Sequence, residues 1–375
     1  MSAALERFLG TARPTPFLAL DPAVVVERYT AIAAAFGPDA EIHYALKACP
    51  EPAVLRALAG AGSRFDVASP AEVDLALAAG AAGGDLCYGN PVRGPADVAA
   101  AHAAGVRRWV TDSAEDLAVL AAHAPGGRVL VRLLVSDAGS ATPFAAKFGA
   151  SPAEAVRLLR AVPAGLVAEG VAFHAGSQQS RPAAYTGAVR AALEVAGAAG
   201  LRTPVLDVGG GFPVAYRDPV PGPEAFADAV RRGVDDAVRA GLVDGARLLL
   251  EPGRVLVAEA GVLRASVLRV SRRPGIDHRR WVYLDVGRYC GLAETEGEAI
   301  GYAVRVPGRA GPVGPVVLAG PTCDGDDVLY RRTPCALPLA LAAGDAVDLL
   351  AAGAYTASYA SVGFNGFPPL AVHVV

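Results

Sequence analysis

Short apolar runs alternate with longer amphipathic segments rich in Ala and Leu from about residue 40 to residue 254. Eight of the runs have the length and composition of buried strands. They are "IHYALK", "RFDVAS", "DLCYGN", "RRWVTD", "RVLVRLLV", "GVAFHAG", "PVLDVGGG" and "ARLLLEPG". Segments between them, such as "SPAEVDLALAAG", begin with Ser or Pro, carry an acid in the first turn and end in Gly, as helices do. Strands that alternate with helices form parallel βαβ units, and eight units in about 215 residues match a closed (β/α)8 barrel.

An open doubly wound sheet is the alternative for the same alternation. Its dinucleotide-binding form carries G-x-G-x-x-G after the first strand. No such motif follows the first strand here. The pattern therefore predicts an α/β protein with a (β/α)8 TIM barrel over residues 22–257.

The pattern changes after residue 258. Short alternating runs such as "GVLRASVLRVSRRP", "RRWVYLDVGRY" and "DAVDLLAAGAY" are separated there by Gly, Pro and Asp turns. Short alternating runs separated by turn residues are typical of antiparallel sheets. Residues 258–375 are predicted to form an antiparallel β domain, to which residues 1–21 are expected to contribute.

Composition narrows the class of protein. The 375 residues are 53% hydrophobic and 19% charged, with a net charge of −3 and scattered arginines, so no nucleic-acid footprint is indicated. The beginning of the chain lacks the form of a signal peptide, and no apolar run reaches membrane-spanning length. The five widely spaced cysteines suggest neither a disulfide framework nor a metal site. We expect a cytoplasmic enzyme with no membrane or nucleic-acid partner and no metal.

Lys47 is chemically unusual for its place in the chain. It ends the first apolar run, in "HYALKACP", where a core strand would favour another aliphatic residue. Lys47 and Lys147 are the two lysines among 34 basic residues, and the others are arginines. Arginine stays protonated in proteins, whereas a lysine amine can deprotonate and attack a carbonyl carbon. The structural alternative is a lysine that extends from a strand end into water.

Polar residues and glycines stand at the ends of other predicted strands. Enzymes with this barrel place functional side chains there, and their phosphate sites use the loops after strands seven and eight. The residues are Asp66, His174, Ser177, Gly209, Gly210, Gly211, Glu251, Gly253 and Arg254. Taken singly, they suit a core histidine, a tight turn or a surface arginine. Taken with Lys47, they match what pyridoxal phosphate needs: an anchoring lysine, an acid at the ring nitrogen, a flat group on the ring and N–H groups for the phosphate.

The motifs "YALKAC", "FDVASPAEVDLAL", "YGNPVR", "KFGA", "FHAGSQ", "LDVGGGFP", "EPGR", "GPTCDGDDVL" and "GAYTASYASVGFNGF" resemble those of one family. It is the ornithine/diaminopimelate/arginine decarboxylase family, whose members are pyridoxal phosphate enzymes of alanine-racemase-like fold. The resemblance runs in order along nearly the whole chain. "GPTCD" and "FNGF" resemble the ornithine and lysine branch of the family, and "GLAETEGEAIGY" resembles the bacterial ornithine/lysine decarboxylases.

The resemblance implies a role for each matching residue near the cofactor. Lys47 would bond to pyridoxal phosphate, His174 would stack on its ring and Glu251 would pair with the ring nitrogen. Asp66, Glu72 and Arg132 match supporting positions. The phosphate would be held by Ser177, Gly209, Gly210, Gly211, Gly253, Arg254 and Tyr355.

The resemblance also implies a homodimer with active sites shared across the interface. Cys323 and Asp324 would come from the second subunit, with Cys323 as proton donor and Asp324 on the distal amine of the substrate. Tyr355 would also contact the substrate. An inert buried thiol and an Asp-Gly turn are the structural alternatives for Cys323 and Asp324.

The implied reaction is decarboxylation of a basic L-amino acid, with L-ornithine giving putrescine and L-lysine giving cadaverine. Glu294, Glu296 and Glu298 are further candidates for binding the distal amine, or else form a solvated acidic loop. Ornithine and lysine differ by one methylene, worth only about 1–3 kcal/mol of discrimination. Decarboxylation of diaminopimelate or another biosynthetic amino acid is one alternative, and an inactive binding homologue is another.

Overall fold

The computed structural model describes residues 1–144 and 147–375. Its strands, in chain order, are β1 (Phe17–Leu20), β2 (Glu41–Ala45), β3 (Arg64–Val67), β4 (Leu86–Tyr88), β5 (Arg108–Thr111), β6 (Arg128–Leu133), β7 (Ser140–Thr142), β8 (Val167–Phe173), β9 (Ser177–Gln179), β10 (Val205–Asp207), β11 (Arg247–Leu250), β12 (Gly261–Arg273), β13 (Asp277–Leu284), β14 (Val304–Arg305), β15 (Val313–Ala319), β16 (Val328–Tyr330), β17 (Ala336–Pro338), β18 (Ala346–Leu350) and β19 (Ala371–Val374). The α-helices are α1 (Ala3–Leu9), α2 (Pro22–Phe36), α3 (Pro52–Gly60), α4 (Pro70–Ala78), α5 (Pro95–Ala103), α6 (Ala114–His123), α7 (Pro152–Arg160), α8 (Pro182–Ala198), α9 (Pro223–Arg239) and α10 (Arg254–Val257).

The described residues form two compact units. The barrel unit comprises Val26–Pro213 and Val220–Val255. The β unit comprises Met1–Val25, Val214–Pro219 and Leu256–Val375. None of the helices in the described parts of the chain combines the length and apolar character needed to cross a membrane.

Eight parallel strands of the barrel unit close into a barrel in the order β10-β11-β2-β3-β4-β5-β6-β8. Each of the eight apolar runs identified in the sequence supplies one of these strands, so the predicted TIM barrel is confirmed. Its interior is filled by small and branched side chains from six strands: Cys87, Val110, Leu130, Ala172, Val205 and Leu249. Layers of such side chains make the barrel a packed core rather than a channel.

Serine caps begin several of the intervening helices where the sequence signals predict them. The hydroxyls of Ser69, Ser113 and Ser151 accept hydrogen bonds from backbone N–H groups three residues later in α4, α6 and α7. Each cap satisfies a helix N–H group that lacks a partner in the first turn. These helices therefore begin at fixed positions, and the strand ends that precede them are fixed as well.

Buried ion pairs occupy the amino-terminal end of the barrel. Arg108 is 2% exposed, and its guanidinium donates to both carboxylate oxygens of Glu169 at 2.8 and 3.1 Å. A third N–H group of Arg108 donates to Glu41 Oε2 at 2.7 Å. A buried charge is tolerated when its partners satisfy it in this way. This end of the barrel is a structural closure, opposite the rim where functional residues are expected.

The β unit is built on a sheet with the path β14-β18-β12-β13-β15-β16. Strand β1 joins it by antiparallel pairing with β12 and by parallel pairing with β19. The predicted second, antiparallel-rich β domain is thus present. The antiparallel prediction is wrong for two pairs, since β1 with β19 and β13 with β15 run parallel.

Candidate active site

Lys47 lies at the carboxyl-terminal rim of the barrel, just beyond a strand. Strand β2 ends at Ala45, and Lys47 belongs to the short 3-10 helix Leu46–Ala48 that follows, so the prediction that the strand runs to the lysine is wrong by two residues. The N–H group of Ala45 donates to Pro252 O at 3.0 Å, which ties this strand end to the turn after β11. The lysine Nζ lies 3.3 Å from Asp66 Oδ2 at the end of β3. Half of the Lys47 side chain is exposed (52%), whereas that of Asp66 is buried, so a buried carboxylate orients an accessible amine.

Glu251 presents a buried carboxylate oxygen at the same rim. Among the described residues, Glu251 Oε1 has no hydrogen-bond partner. Burial raises the pKa of Glu251 well above its ordinary 4.5, and the carboxyl groups of Asp207 and Asp66 raise it further. A donor that carries positive charge would satisfy this oxygen and favour its anionic form.

Gly89 explains how the carboxyl groups of Asp66 and Glu251 approach one another. A Cβ on Gly89 would lie 2.2 Å from Asp66 Oδ1 and 3.2 Å from Glu251 Oε1. Any side chain at this position would displace both carboxyl groups. The glycine of the "YGN" motif is therefore part of the site's geometry, although sequence reasoning did not single it out.

His174 follows β8 and offers a flat, neutral ring. Its Nδ1 accepts a hydrogen bond from Gly176 N–H at 3.1 Å, and the Phe144 ring meets it edge-on with centroids 4.7 Å apart. Burial lowers the pKa of His174 well below its ordinary 6.5, and the charges of Arg132 and Lys47 lower it further. The imidazole is thus uncharged at neutral pH, as a ring that stacks on another ring requires.

The glycines after β10 form a turn that admits no side chain. At Gly210 a Cβ would lie 2.4 Å from Glu251 O, and at Gly211, where φ is +92°, it would lie 2.1 Å from Gly176 O. The carbonyl of Gly210 accepts a hydrogen bond from the hydroxyl of Tyr185 at 2.7 Å, and this bond holds the turn in place. Because Gly209 N–H donates to Asp207 Oδ1 at 2.8 Å, Gly210 and Gly211 are the glycines of this turn whose N–H groups suit an anion.

Arg254 stands beside this turn. It begins α10, directly after Gly253, and its Nη2 donates to Ser177 Oγ at 3.2 Å. A guanidinium, a hydroxyl and a glycine turn on one rim make a set of donors suited to a phosphate. Arg132, at the end of β6, lies over the Phe148 ring at 4.8 Å.

The remaining predicted residues belong to the β unit. Cys323 is exposed; its N–H group donates to Asn365 Oδ1 at 3.1 Å, and its Sγ lies 3.5 Å from the same oxygen. Asp324 accepts from Asp326 N–H at 2.8 Å. Tyr355 is partly buried and has a positive φ of 54°. The structure thus brings the predicted barrel residues together on one rim and presents these three in the other unit.

Glu298 has a structural role instead of an open carboxylate. It accepts backbone hydrogen bonds from Arg331, Arg332 and Thr333 at 2.6–2.9 Å. Although partial burial raises the pKa of Glu298, these bonds lower it to about 2. The proposed role in substrate binding is therefore not favoured for Glu298, because its carboxylate is occupied within its own unit.

Two further residues were missed in the sequence, although both lie in motifs noted there. Asp207, in "LDVGGG", is fully buried, and its Oδ1 accepts from Gly209 N–H at 2.8 Å. Asn365, in "FNGF", supplies the amide oxygen beside Cys323. An acid inside an apolar strand was the available signal for Asp207. No local pattern connects Asn365 to a cysteine 42 residues away.

Comparison with known proteins identifies the family. Residues 23–258 match the family model described as "Pyridoxal-dependent decarboxylase, pyridoxal binding domain". The chain belongs to the pyridoxal-dependent decarboxylases. Its cofactor is pyridoxal phosphate, and both the family and the cofactor predicted from the motifs are confirmed.

Relatives of this decarboxylase are similar over almost their whole length. A lysine/ornithine decarboxylase of Selenomonas ruminantium is 35% identical over 94% of this chain and 88% of that protein. A diaminopimelate decarboxylase of Actinosynnema pretiosum subsp. auranticum is also 35% identical, over 95% of this chain and 83% of that protein. The crystal structure of a Vibrio vulnificus lysine/ornithine decarboxylase complexed with cadaverine superposes with a TM-score of 0.85, at 31% identity, covering 100% of this chain and 99% of that chain.

The rim of the barrel fits this cofactor. The Glu251 oxygen that lacks a partner within the described ranges suits a protonated ring nitrogen, and the glycine turn beside Arg254 suits a phosphate. The neutral imidazole of His174 suits the face of an aromatic ring. The donor types therefore agree with pyridoxal phosphate in charge, shape and hydrogen bonding.

Proposed function

We propose that the decarboxylase removes the α-carboxylate of L-ornithine to form putrescine, and that it accepts L-lysine as a second substrate to form cadaverine. The carrying observation is the Glu251 Oε1 atom, buried and unsatisfied among the described residues, on the rim that also holds Lys47. The relatives that are lysine/ornithine decarboxylases support the choice of substrate.

The rim residues are proposed to hold the cofactor as their chemistry suggests. Lys47 supplies the covalent anchor, Glu251 accepts the ring-nitrogen proton and His174 covers one face of the ring. Asp66 and Arg132 support this arrangement by their charges. The residues proposed for the phosphate are Ser177, Gly209, Gly210, Gly211, Gly253, Arg254 and Tyr355.

When bound, pyridoxal phosphate supplies an electron sink for the electron pair left at the substrate Cα as CO2 departs. The side chains of the protein then stabilise charge and transfer protons. Glu251, as an anion, keeps the ring nitrogen protonated and so favours that sink. Cys323 is proposed to deliver a proton to Cα, with Asn365 holding its backbone and thiol in place.

The enzyme is proposed to be a homodimer in which a second copy contributes Cys323 and Asp324 to each site. Asp324 would pair with the distal ammonium of the substrate, because a buried or partly buried ammonium needs a carboxylate partner. A diaminopimelate decarboxylase would need a cation at that place for the distal carboxylate. Asp324 favours the diamine-forming reaction, although one close relative is a diaminopimelate decarboxylase.

The cofactor assignment is tested with the two lysines of the chain. Wild type, Lys47→Ala and Lys147→Ala are purified, loaded with pyridoxal phosphate and examined by absorbance spectroscopy. Lys47→Ala is expected to lose the band of lysine-bound cofactor, and Lys147→Ala is expected to keep it. A band that persists in Lys47→Ala contradicts the assignment.

The substrate is tested by direct competition between amino acids. Release of CO2 from L-ornithine, L-lysine and meso-diaminopimelate is measured at equal concentrations, and kcat/KM is compared. We expect ornithine to exceed lysine by up to about 200-fold, the range available to a single methylene. Preferred release from meso-diaminopimelate would reverse the proposal.

A further inference from the structure

Asp207 is a buried acid with no ion-pair partner in the described parts of the chain. It ends β10, is 0% exposed, and binds Gly209 N–H through Oδ1 at 2.8 Å. Its Oδ2 is also buried and has no hydrogen-bond partner among the described residues. One oxygen of Asp207 and one of Glu251 lie within 4.8 Å of each other, and the thiol of Cys87 is equally close.

The surroundings disfavour two negative charges here. The titratable and charged groups that face the two carboxyl groups are Lys47, from the turn after β2, and four residues of β3 to β6: Asp66, Cys87, Arg108 and Arg132. Arg108 is already bound to Glu169 and Glu41, and the Lys47 amine lies against Asp66. Two buried carboxylates side by side cannot both ionise without a large cost in free energy.

We propose that Asp207 and Glu251 share one proton, and that Asp207 is thereby a positioning residue that orients the Glu251 carboxyl group. A proton between the two groups supplies the donor that the buried oxygen of Asp207 lacks. The pair then resembles the carboxyl dyads in which like-charged neighbours hold one proton between them. Burial raises the pKa of Glu251 well above its ordinary value and that of Asp207 to about 7, although hydrogen bonds from Gly209 and Glu251 lower the pKa of Asp207; this agrees with one proton retained between the two groups near neutrality.

This inference rests on the proposed role of Glu251 at the ring nitrogen for its consequence in catalysis. Where a positive charge stands against Glu251, the shared proton would lie on Asp207, whose carboxyl group then donates to Glu251 and fixes the direction of the glutamate carboxylate. The glutamate then has an oxygen available for the ring-nitrogen proton. Because the two groups are also linked through the backbone, where Glu251 N–H donates to Gly209 O at 2.8 Å, the turn and the dyad are held together.

Infrared difference spectroscopy tests the proton directly. Spectra of the full-length protein, with and without added pyridoxal phosphate, are compared for wild type, Asp207→Asn, Glu251→Gln and the exposed control Asp244→Asn. We expect the carbonyl-stretch band of a buried, protonated carboxyl group in wild type to be lost or shifted in Asp207→Asn and Glu251→Gln. Asp244→Asn should leave it unchanged. Identical carbonyl bands in wild type and both dyad variants would overturn the proposal.

Cofactor affinity tests the positioning role. The Kd for pyridoxal phosphate is measured by absorbance titration for wild type, Asp207→Asn and Asp207→Ala. Asparagine keeps a neutral donor and should stay within about threefold of wild type, whereas alanine removes the donor to a charged acceptor and should weaken binding about tenfold or more. Equal Kd values for the two variants would overturn the role.

The two measurements separate this inference from the proposed function. The infrared band without cofactor does not depend on where the ring nitrogen lies. If Glu251→Gln leaves the cofactor absorbance unchanged while the band shifts, the ring-nitrogen role fails and proton sharing stands. If Asp207→Ala does not fold, as judged by circular dichroism, the infrared comparison of wild type with Asp207→Asn still decides the matter.

Discussion

Asp207 and Asp348 show how differently two fully buried acids are treated in this chain. Asp348 in the β unit accepts from Arg264 at 2.7 and 3.0 Å and from Arg305 at 2.8 Å, so its charge is fully compensated. Asp207 has no such ion pair within the described residues, and an oxygen of another acid, Glu251, lies within 4.8 Å of one of its own. An acid that a fold keeps buried without a counter-ion is a candidate for function, because its pKa is shifted toward the physiological range.

The raised pKa of Asp207 predicts a pH-dependent stability. Its ordinary value of 3.8 rises to about 7 in the folded chain, so the folded state binds the proton more tightly than the unfolded state. The stability that this group contributes is fully present below pH 4 and is lost as the pH rises through about 7. The melting temperature of wild type should therefore fall relative to that of Asp207→Asn between about pH 4 and pH 7.

Thermal unfolding of the cofactor-free protein at several pH values measures this difference. Asp244→Asn is the control, because Arg202 lowers the pKa of that exposed carboxyl, and its pairing is lost only in more acidic solution. The melting-temperature difference between wild type and Asp244→Asn should stay flat over the same range. A flat difference for Asp207→Asn as well would show that the group is ionised throughout.

At the scale of elements, the turn after β10 requires glycine, because a Cβ at Gly209, Gly210 or Gly211 would collide with a backbone oxygen. We predict that Gly211→Ala destabilises the fold by about 2 kcal/mol or more, because an alanine is strained at φ +92° and its Cβ would collide with Gly176 O. Cofactor affinity should fall as well, since the turn must move. Urea unfolding and absorbance titration measure the two effects.

Gly187→Ala in α8 is the matched control for that substitution. A Cβ there meets no atom within 4 Å, and alanine is favoured over glycine inside helices by about 0.5–1 kcal/mol. Gly187→Ala should therefore be neutral or stabilising. If both glycine variants were equally stable, the steric argument for the turn would be wrong.

The elements of the barrel could be predicted from sequence because their signals are local. A buried parallel strand is a continuous apolar run, and Ser-Pro with a nearby acid starts a helix, so the eight barrel strands and the helices between them are recognisable, whereas β7 and β9 are not. The pairing of β1 with β19 and of β13 with β15 was missed, since pairing between distant strands leaves no local pattern. The end of β2 was misplaced because "ALKA" is equally apolar in a strand and in the 3-10 turn that follows it.

The residues of the candidate site likewise fall into those that a local sequence signal marks and those that no local signal marks. Lys47, His174 and Glu251 stand out because a polar group interrupts or ends an apolar run. Asn365 could not be found, because its contact with Cys323 depends on how the β unit folds. Glu298 looked available for substrate only because its three backbone donors lie more than thirty residues away.

At the scale of the whole molecule, the buried ion pairs at the amino-terminal end of the barrel stabilise the fold, whereas the carboxyl-terminal rim holds the candidate active site. We predict that Arg108→Met lowers the free energy of unfolding by about 3 kcal/mol, since it removes the buried guanidinium that joins Glu169 to Glu41 and leaves them with partly exposed arginines and His43. Arg202→Met, which breaks an exposed pair with Asp244, should change it far less, because water screens an exposed pair. Chemical denaturation of both variants tests the contrast. Equal losses would mean that the buried network is not structural.

The proposed dimer makes a prediction about subunit exchange. Lys47→Ala and Cys323→Ala chains should each be nearly inactive alone, yet a mixture should recover part of the decarboxylase activity. A hybrid dimer contains one site with both residues intact, so at most about a quarter of wild-type activity is expected from random exchange. No recovery after exchange has been verified by mass spectrometry would argue that each chain completes its own site.

The exposure of Lys47 also has a practical consequence for chemical labelling. Its half-exposed amine is one of only two lysine amines in the chain, and the other, on Lys147, lies over the Phe148 ring. An acylating reagent selective for amines should therefore produce a peptide map with very few modified sites. Protection of Lys47 by pyridoxal phosphate, with Lys147 as internal reference, would turn a simple mass measurement into a readout of cofactor occupancy in crude samples.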